Sequence, residues 1–291
     1  MKAKKVNIPF EIFNTLFMLL MIVITLYPLY YIVMASFSNP ALLIQHRGLM
    51  IRPCGFSTLG YKAVLGNHDI YVGYSNTLFY VIVGTALSLL VSSLLAYALT
   101  KKNVKYSRQM SLFVVVTMFF SGGMIPIYLV VRGVGLLNTR WAVILPGLIN
   151  VFNLIILKTS FLSIPDSITE AATIDGANDF IIWSRIIMPL STATIAVFVL
   201  YTGVAYWNGW FNAMIYLKDR KLYPLQLFLR EIIVNSSTSD MANNMGTGQS
   251  ASLEEVIKYS TIIISTVPIL CIYPFVQKYF VNGVMIGAVK G

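Results

Sequence analysis

Glu170-Ala171-Ala172-Thr173-Ile174-Asp175-Gly176-Ala177, running on to Ile186-Ile187-Met188-Pro189, is the stretch on which the reading of this chain turns. It is a polar, acidic, glycine-containing island between two long apolar runs, about 141–160 and 186–206. In a chain otherwise suited to lipid, such an island is where a soluble partner takes hold. Ser163-Ile164-Pro165-Asp166-Ser167 just ahead of it reads as a helix start, with Pro165 early and Asp166 or Ser167 supplying the cap. Glu170, Ala171 and Ala172 then lie on a short helix whose small side chains allow close packing, and Gly176 permits a turn or close approach. Phe180 and Trp183 follow before the chain returns to apolar sequence at Arg185. A helix with a carboxylate and small side chains suits insertion into a cleft on another protein.

The flanks say what the island interrupts. Of the 291 residues, 57% are hydrophobic and only 11% charged, against roughly 25% charged in ordinary soluble domains. That is too little charge to cover a globule in water, a requirement a bilayer removes. Six runs reach the roughly 20 apolar residues a spanning helix needs: about 12–36, 75–100, 110–131, 141–160, 186–206 and 259–280. The fold predicted is an all-α integral membrane protein, one domain over 1–291 with six transmembrane helices. Residues 161–185 then form an inner loop, 207–258 an outer one and 283–291 an inner tail. The run after Lys5 continues to about Ala35, too long for a signal peptide, and is taken as a retained first span. Prolines 28, 126, 146, 268 and 274 fall inside runs, where neighbouring groups can satisfy the freed carbonyls. Ser121-Gly122-Gly123-Met124-Ile125-Pro126 is the expected mid-membrane break, or else a packing kink.

Lys2, Lys4 and Lys5 precede the first run, and Lys101, Lys102, Lys105 and Arg108 separate the second from the third. The positive-inside rule puts both groups in the cytoplasm, so six spans put both termini and Glu170 there too. No Asp, Glu, Lys, Arg or His lies inside a run away from its ends. Such charges mark ion pathways and proton relays, so a proton- or sodium-coupled carrier and an ion channel are disfavoured and a neutral polar cargo is expected. The net charge of +10 comes mostly from loops, with no basic-aromatic platform for nucleic acid. Cys54 and Cys271 are placed too differently for a disulfide framework, and no metal site is read.

The spacing of the island carries a resemblance. Glu170-Ala171-Ala172, three residues, Gly176, nine residues, Ile186, one residue, Met188-Pro189 closely resembles the EAA motif of binding-protein-dependent ABC importer permeases. Met188 stands where leucine is usual, a volume-conserving exchange. Asp175-Gly176-Ala177 and the terminal Gly287-Ala288-Val289-Lys290-Gly291 look like the MalG-like branch of carbohydrate permeases. Within it, Tyr27-Pro28-Leu29-Tyr30, Met118 to Gly123, Trp207-Asn208-Gly209-Trp210-Phe211 and Tyr223-Pro224-Leu225-Gln226-Leu227 are similar to the LplC/YtcP-like group. The resemblance covers nearly the whole chain. It implies a type I (MetI-like) permease subunit forming half of a path for a carbohydrate, an oligosaccharide above all. Its implied partners are a second homologous permease, two ATPase subunits, an extracellular solute-binding lipoprotein and surrounding lipid. ATP–Mg would sit on the ATPases, since this chain carries no Walker motif; the chain is expected to bind no cofactor and to be no catalyst itself. Glu170, Ala171, Ala172, Asp175, Gly176, Ala177 and Phe180 would contact the ATPase, and Gly287, Lys290 and Gly291 in the tail would reach its dimer interface. A peptide or other neutral cargo, and more remotely a secondary carrier, stay open as alternatives.

On the outer side, Leu222 to Leu229 reads as an amphipathic piece lying on the membrane surface or on the partner permease. Asn235 to Ser250 reads as a polar, flexible loop, which the resemblance allows to enter the binding protein. Trp207, Asn208 and Trp210 sit where the fifth run ends, as interfacial anchors or sugar-stacking rings. Asn150 and Asn153 in the fourth run could bond cargo or a neighbouring helix.

Overall fold

The computed structural model describes residues 8–101, 104–242, 253–271 and Pro274. The tail residues Gly287, Lys290 and Gly291, residues 243–252 of the outer connection and the later part of the 259–280 run lie outside them. The chain forms two compact units, Met1–His68 with Glu231–Pro268, and Asp69–Arg230 with Ile269–Gly291.

In the first unit, α1 (Ile8–Ser36) is a helix of 29 residues with Pro28 inside it. Phe13, Met18 and Leu19 point to different sides of it and are all exposed. A helix apolar on every face belongs in lipid, since water would require a polar side. After it come α2 (Pro40–Gln45), capped by the Asn39 carboxamide accepting from Ala41 N–H, and α3 (Leu59–Leu65). Helical residues 253–268 complete this unit: Ala35, Leu43, Met50 and Val256 form its core, and Tyr31 meets Tyr259 edge to face.

The second unit is organised on α4 (His68–Thr100), 33 residues long and starting well before the expected residue 75. Its buried face is the stripe Gly73, Asn76, Thr77, Tyr80, Gly84, Ser88, Ser92 and Ala96, spaced by three and four. Leu78, Ile82, Leu90 and Leu94 on other faces stay exposed, while Ser88 and Ser92 are 1% and 0% exposed. Small polar side chains inside and large apolar ones outside is the pattern of helix packing in lipid.

After α4 the chain bends where the sequence weakens helices. Helices α5 (Ser107–Phe119) and α6 (Met124–Gly133) meet at 116° across the Ser121-Gly122-Gly123 break. The run 110–131 is therefore a sharply broken pair and not one straight helix. Next, α7 (Arg140–Ile144) tightens through Leu145–Gly147 around Pro146, and α8 (Val151–Leu162) leaves it at 52°. The run 186–206 is also corrected: its membrane helix, α12 below, starts at Thr192 after an 84° bend at Ser191, two residues beyond Pro189. Among the described residues, two helices are long and apolar enough to cross a membrane, or up to five if each bent pair is one span.

Between these pairs lie α9 (Asp166–Ile174), α10 (Asp179–Ile182), a wider π-type turn over Trp183–Ile187, α11 (Met188–Leu190) and then α12 (Thr192–Trp207). Two further helices, α13 (Phe211–Tyr216) and α14 (Leu225–Ala242), follow. The strap joining them is tied down by side chains far away in sequence. Asn138 Oδ1 accepts from the Lys218 and Asp219 N–H groups at 2.9 Å each. Asn76 Nδ2 donates to the carbonyls of Lys221 (2.7 Å) and Tyr223 (3.1 Å), and the Tyr80 hydroxyl donates to that of Leu222 (2.8 Å). Thr77 Oγ1 accepts from Leu225 N–H at 2.8 Å.

This anchoring overturns the expected surface placement of Leu222 to Leu229. Leu225, Leu227, Phe228 and Leu229 are buried, and Leu227 shares a cluster with Tyr80, Val143, Ile144, Ala213 and Leu217. Nor is Asn235 the start of a loop, because α14 runs helical to Ala242. Extending a formed helix costs far less than nucleating one, and the buried Leu225 turn supplies the nucleus.

Tyr206 lies flat on Gly84: a Cβ added there would meet ring carbons at 2.6 Å. Gly84→Val is expected to cost about 1–3 kcal/mol through overpacking, seen as a lower melting temperature of the detergent-solubilised chain. Gly203→Ala, where the nearest atom stands 3.7 Å away, serves as the neutral comparison; equal melting of the two would show that α4 and α12 do not pack this closely.

A candidate coupling segment and an amide-lined cavity

The acidic island folds as helix, turn and helix. Pro165, with extended backbone, takes the position before α9, so neither Asp166 nor Ser167 is the cap; Asp166 sits in the first turn. The end of α9 is closed by a Schellman turn, in which Ala177 N–H donates to Ala172 O (2.9 Å) and Gly176 N–H to Thr173 O (3.0 Å). Gly176 holds φ at +82°, a conformation that costs other L-residues about 1–2 kcal/mol. Asn178 then caps α10, its Oδ1 accepting from Ile181 N–H at 2.9 Å.

This geometry sorts the candidate residues into two faces. Ala172 and Ala177 turn inward, onto a cluster that includes Tyr97, Leu157, Phe161, Ile182 and Trp183. Glu170, Ala171, Asp175, Gly176 and Phe180 are exposed. Ile174, which sequence reading passed over, is 87% exposed, and Phe180 is 63% exposed. Large apolar side chains beside carboxylates on one small projecting surface have the composition of a docking face. Glu170 also lines a groove of about 810 Å³ shared with Tyr97, Lys101 and Thr169.

Sequence reading also missed what holds the hairpin. Asp179 Oδ1 stands 2.8 Å from Lys101 Nζ and accepts from the Tyr97 hydroxyl at 3.1 Å. The same ammonium lies 4.6 Å from the centre of the Tyr97 ring. The hydrogen bond from Lys101 draws the Asp179 pKa below its ordinary value against the opposing effect of burial, with lesser help from the Tyr97 hydrogen bond and the Lys101 charge. Burial works to lower the Lys101 pKa, but its bonds to Asp179 and Tyr97 outweigh this and the net shift is upward. The sign follows: a depressed carboxylate contributes stability above its unfolded value and loses it as pH falls through the folded one. A raised lysine contributes below its unfolded value and loses it only as pH rises through the raised one. The pair is therefore intact throughout the neutral range. No local signal could have joined Lys101 to Asp179, because the contact exists only once α4 and α10 pack.

A second feature lies between α8 and α12. Asn150, Phe152, Asn153, Tyr201, Thr202 and Asn212 line a cavity of about 460 Å³ that has no charged residue in its wall. Asn150 and Asn153, both named from sequence, are there. Asn150 also has a structural task, its Oδ1 accepting from Asn153 N–H (3.1 Å) to cap α8. Asn153 Nδ2 reaches Thr202 Oγ1 at 3.5 Å. Tyr201, Thr202 and Asn212 were not anticipated. Trp207, Asn208 and Trp210 are not part of this wall. Trp207 is buried against Tyr74, so it is neither a surface anchor nor an open stacking ring. Asn208 ends α12, and Trp210 lies under the Arg230 guanidinium at 4.5 Å.

No family model matches the chain. It is 41% identical over 277 residues to the polygalacturonan/rhamnogalacturonan transport system permease protein YtcP of Bacillus subtilis strain 168, covering 94% of this chain and 96% of that one. It is 42% identical over 283 residues to protein LplC of the same organism, covering 97% and 95%. Among solved structures it superposes with a TM-score of 0.86, at 32% identity, on a chain of a bacterial ABC transporter involved in the import of the acidic polysaccharide alginate. That match covers 96% of this chain and 99% of that one.

Proposed function

Because this chain belongs to the permease subunits of sugar ABC transporters, we propose that it forms half of an ATP-driven import path for an oligosaccharide. Membership disposes of the secondary-carrier alternative. The observation that carries the coupling part is the braced hairpin 161–185, which presents Glu170, Ile174 and Phe180 outward from a body of membrane helices. A separate ATPase seats on that face, with ATP–Mg bound on the ATPase, and a homologous permease supplies the other half of the path. Six spans place both termini and the hairpin in the cytoplasm of a bacterial cell, and the 217–225 strap outside, where a solute-binding protein delivers cargo.

The amide-lined cavity is the part of the path this chain contributes. Carboxamide, hydroxyl and aromatic groups without charge suit the hydroxyls and apolar faces of sugar rings. A neutral cargo does not follow from the lack of intramembrane charge, since a transporter for an acidic polysaccharide shares this fold. Co-expression with the second permease and the ATPase tests the proposal. The three chains should co-purify, and liposomes containing them should take up labelled galacturonan oligosaccharides or another glycan from a panel only with ATP inside and a binding protein outside. Failure of the ATPase to co-purify would overturn the coupling assignment.

A further inference from the structure

The hairpin and the strap are fixed to opposite ends of one continuous helix. At one end of α4, Tyr97 and the adjoining Lys101 hold Asp179 of the hairpin at 3.1 and 2.8 Å. At the other end Asn76, Thr77 and Tyr80 make four hydrogen bonds to the strap and the first turn of α14, between 2.7 and 3.1 Å. Arg140 Nη2 closes the second knot by donating to Asn76 Oδ1 at 3.0 Å. Between the knots α4 carries no proline, and its 33 residues form an unbroken helix of about 50 Å.

The middle of the helix is held differently. Its buried face there is Gly84, Thr85, Ser88 and Ser92, small groups that let Tyr206 of α12 pack closely on Gly84. The buried hydroxyls of Thr85 and Ser92 make no hydrogen bond. Among the described residues, the polar contact from this face to another helix is a long one, Ser88 Oγ to the Tyr206 hydroxyl at 3.4 Å. Directional bonds thus sit mainly at the ends and close packing of small groups in the middle, so the unbroken helix can move only as a unit. Helices packed in this way slide or rotate while bonded ends carry their attachments along.

We propose that α4 is the lever of this permease: the Tyr97–Lys101–Asp179 latch joins it to the ATPase-facing hairpin, so movement of the hairpin displaces the 217–225 strap on the far side. This rests on the coupling reading above. Asp179, Lys101 and Tyr97 are positioning residues, acting through the hairpin and touching neither ATPase nor cargo. Because the Asp179 side chain is 70% exposed, losing the pair changes stability little; its loss shows in transmission.

The test needs no cargo. In the complete complex, reconstituted and without other cysteines, Lys218→Cys on the strap is labelled with a maleimide, first without nucleotide and then trapped with ATP–Mg and orthovanadate. The labelling rates should differ several-fold between the two states. With Asp179→Lys or the milder Asp179→Asn the ratio should collapse towards one while the ATPase stays bound. The exchange Lys101→Asp with Asp179→Lys should restore it, as a merely structural defect would not. No difference in the parent, a difference persisting in Asp179→Lys, or failure of the exchange to restore it would each overturn the lever. So would loss of the ATPase from Asp179→Lys, which would make Asp179 part of the docking face. The coupling reading itself stands or falls separately, on whether the ATPase is retained when Glu170 is altered.

Discussion

Glu170→Arg is expected to strip the ATPase from the purified complex and abolish uptake while leaving the chain inserted in the membrane. Glu170 is exposed on α9, one turn from Ile174, itself 87% exposed. Placed in a partner's cleft, the carboxylate becomes one half of a desolvated charge pair. Removing one partner of such a pair typically costs about 2–5 kcal/mol. Reversing the charge adds repulsion, so Glu170→Arg should be worse than Glu170→Ala. Gly176 gives an internal comparison. No atom lies within 4 Å of a Cβ added there, so a side chain has room within this chain and would protrude towards the partner. Asparagine tolerates positive φ yet reaches about as far as leucine, so Gly176→Asn should weaken ATPase retention as Gly176→Leu does, separating protrusion from backbone strain. The measurement is the ATPase-to-permease ratio after affinity purification, followed by uptake in liposomes. Wild-type ratios and uptake in both Glu170→Arg and Gly176→Leu would reduce the hairpin to a plain connector.

Labelling of intact cells should be all-or-none between two exposed positions. With Cys54 and Cys271 replaced by serine, Lys218→Cys on the strap should react with a membrane-impermeant maleimide. Ile174→Cys on the hairpin should react only after permeabilisation. Both side chains are exposed in this chain, and with the chain expressed without the ATPase no partner covers Ile174, so silence at either reports the membrane and not burial. The positive-inside rule, applied to the short basic stretches before α1 and after α4, predicts this orientation. Labelling of both from outside, or the reverse pattern, would sink the six-span arrangement.

Much of the candidate site was legible because its chemistry is local. Although the cap expected at Asp166 or Ser167 falls at Pro165 and the cap at Asn178 was not read from sequence, Pro165 and Gly176 mark the helix start and turn from sequence. The break at Ser121-Gly122-Gly123 was legible for the same reason, although its 116° angle was not. Composition misled where it stood in for environment. Leu222 to Leu229 reads as a surface amphipath, yet carbonyl bonds from Asn76 and Tyr80 draw it under the strap and bury Leu225 and Leu227. Trp207 ends an apolar run as interfacial anchors do, and is instead buried on Tyr74.

By itself, then, the sequence determined a helical membrane body, the polar interruption in it and the turn chemistry that shapes that interruption. Each depends on a run of neighbouring residues whose free energy in lipid or in a turn is set by their own side chains. Only the tertiary structure decided which side of each helix is buried, that Asn150, Asn153, Thr202 and Asn212 share one cavity, and that Lys101 meets Asp179. Those are pairings across long sequence separations, chosen by how small-residue stripes and bent helices pack, and no local propensity specifies them.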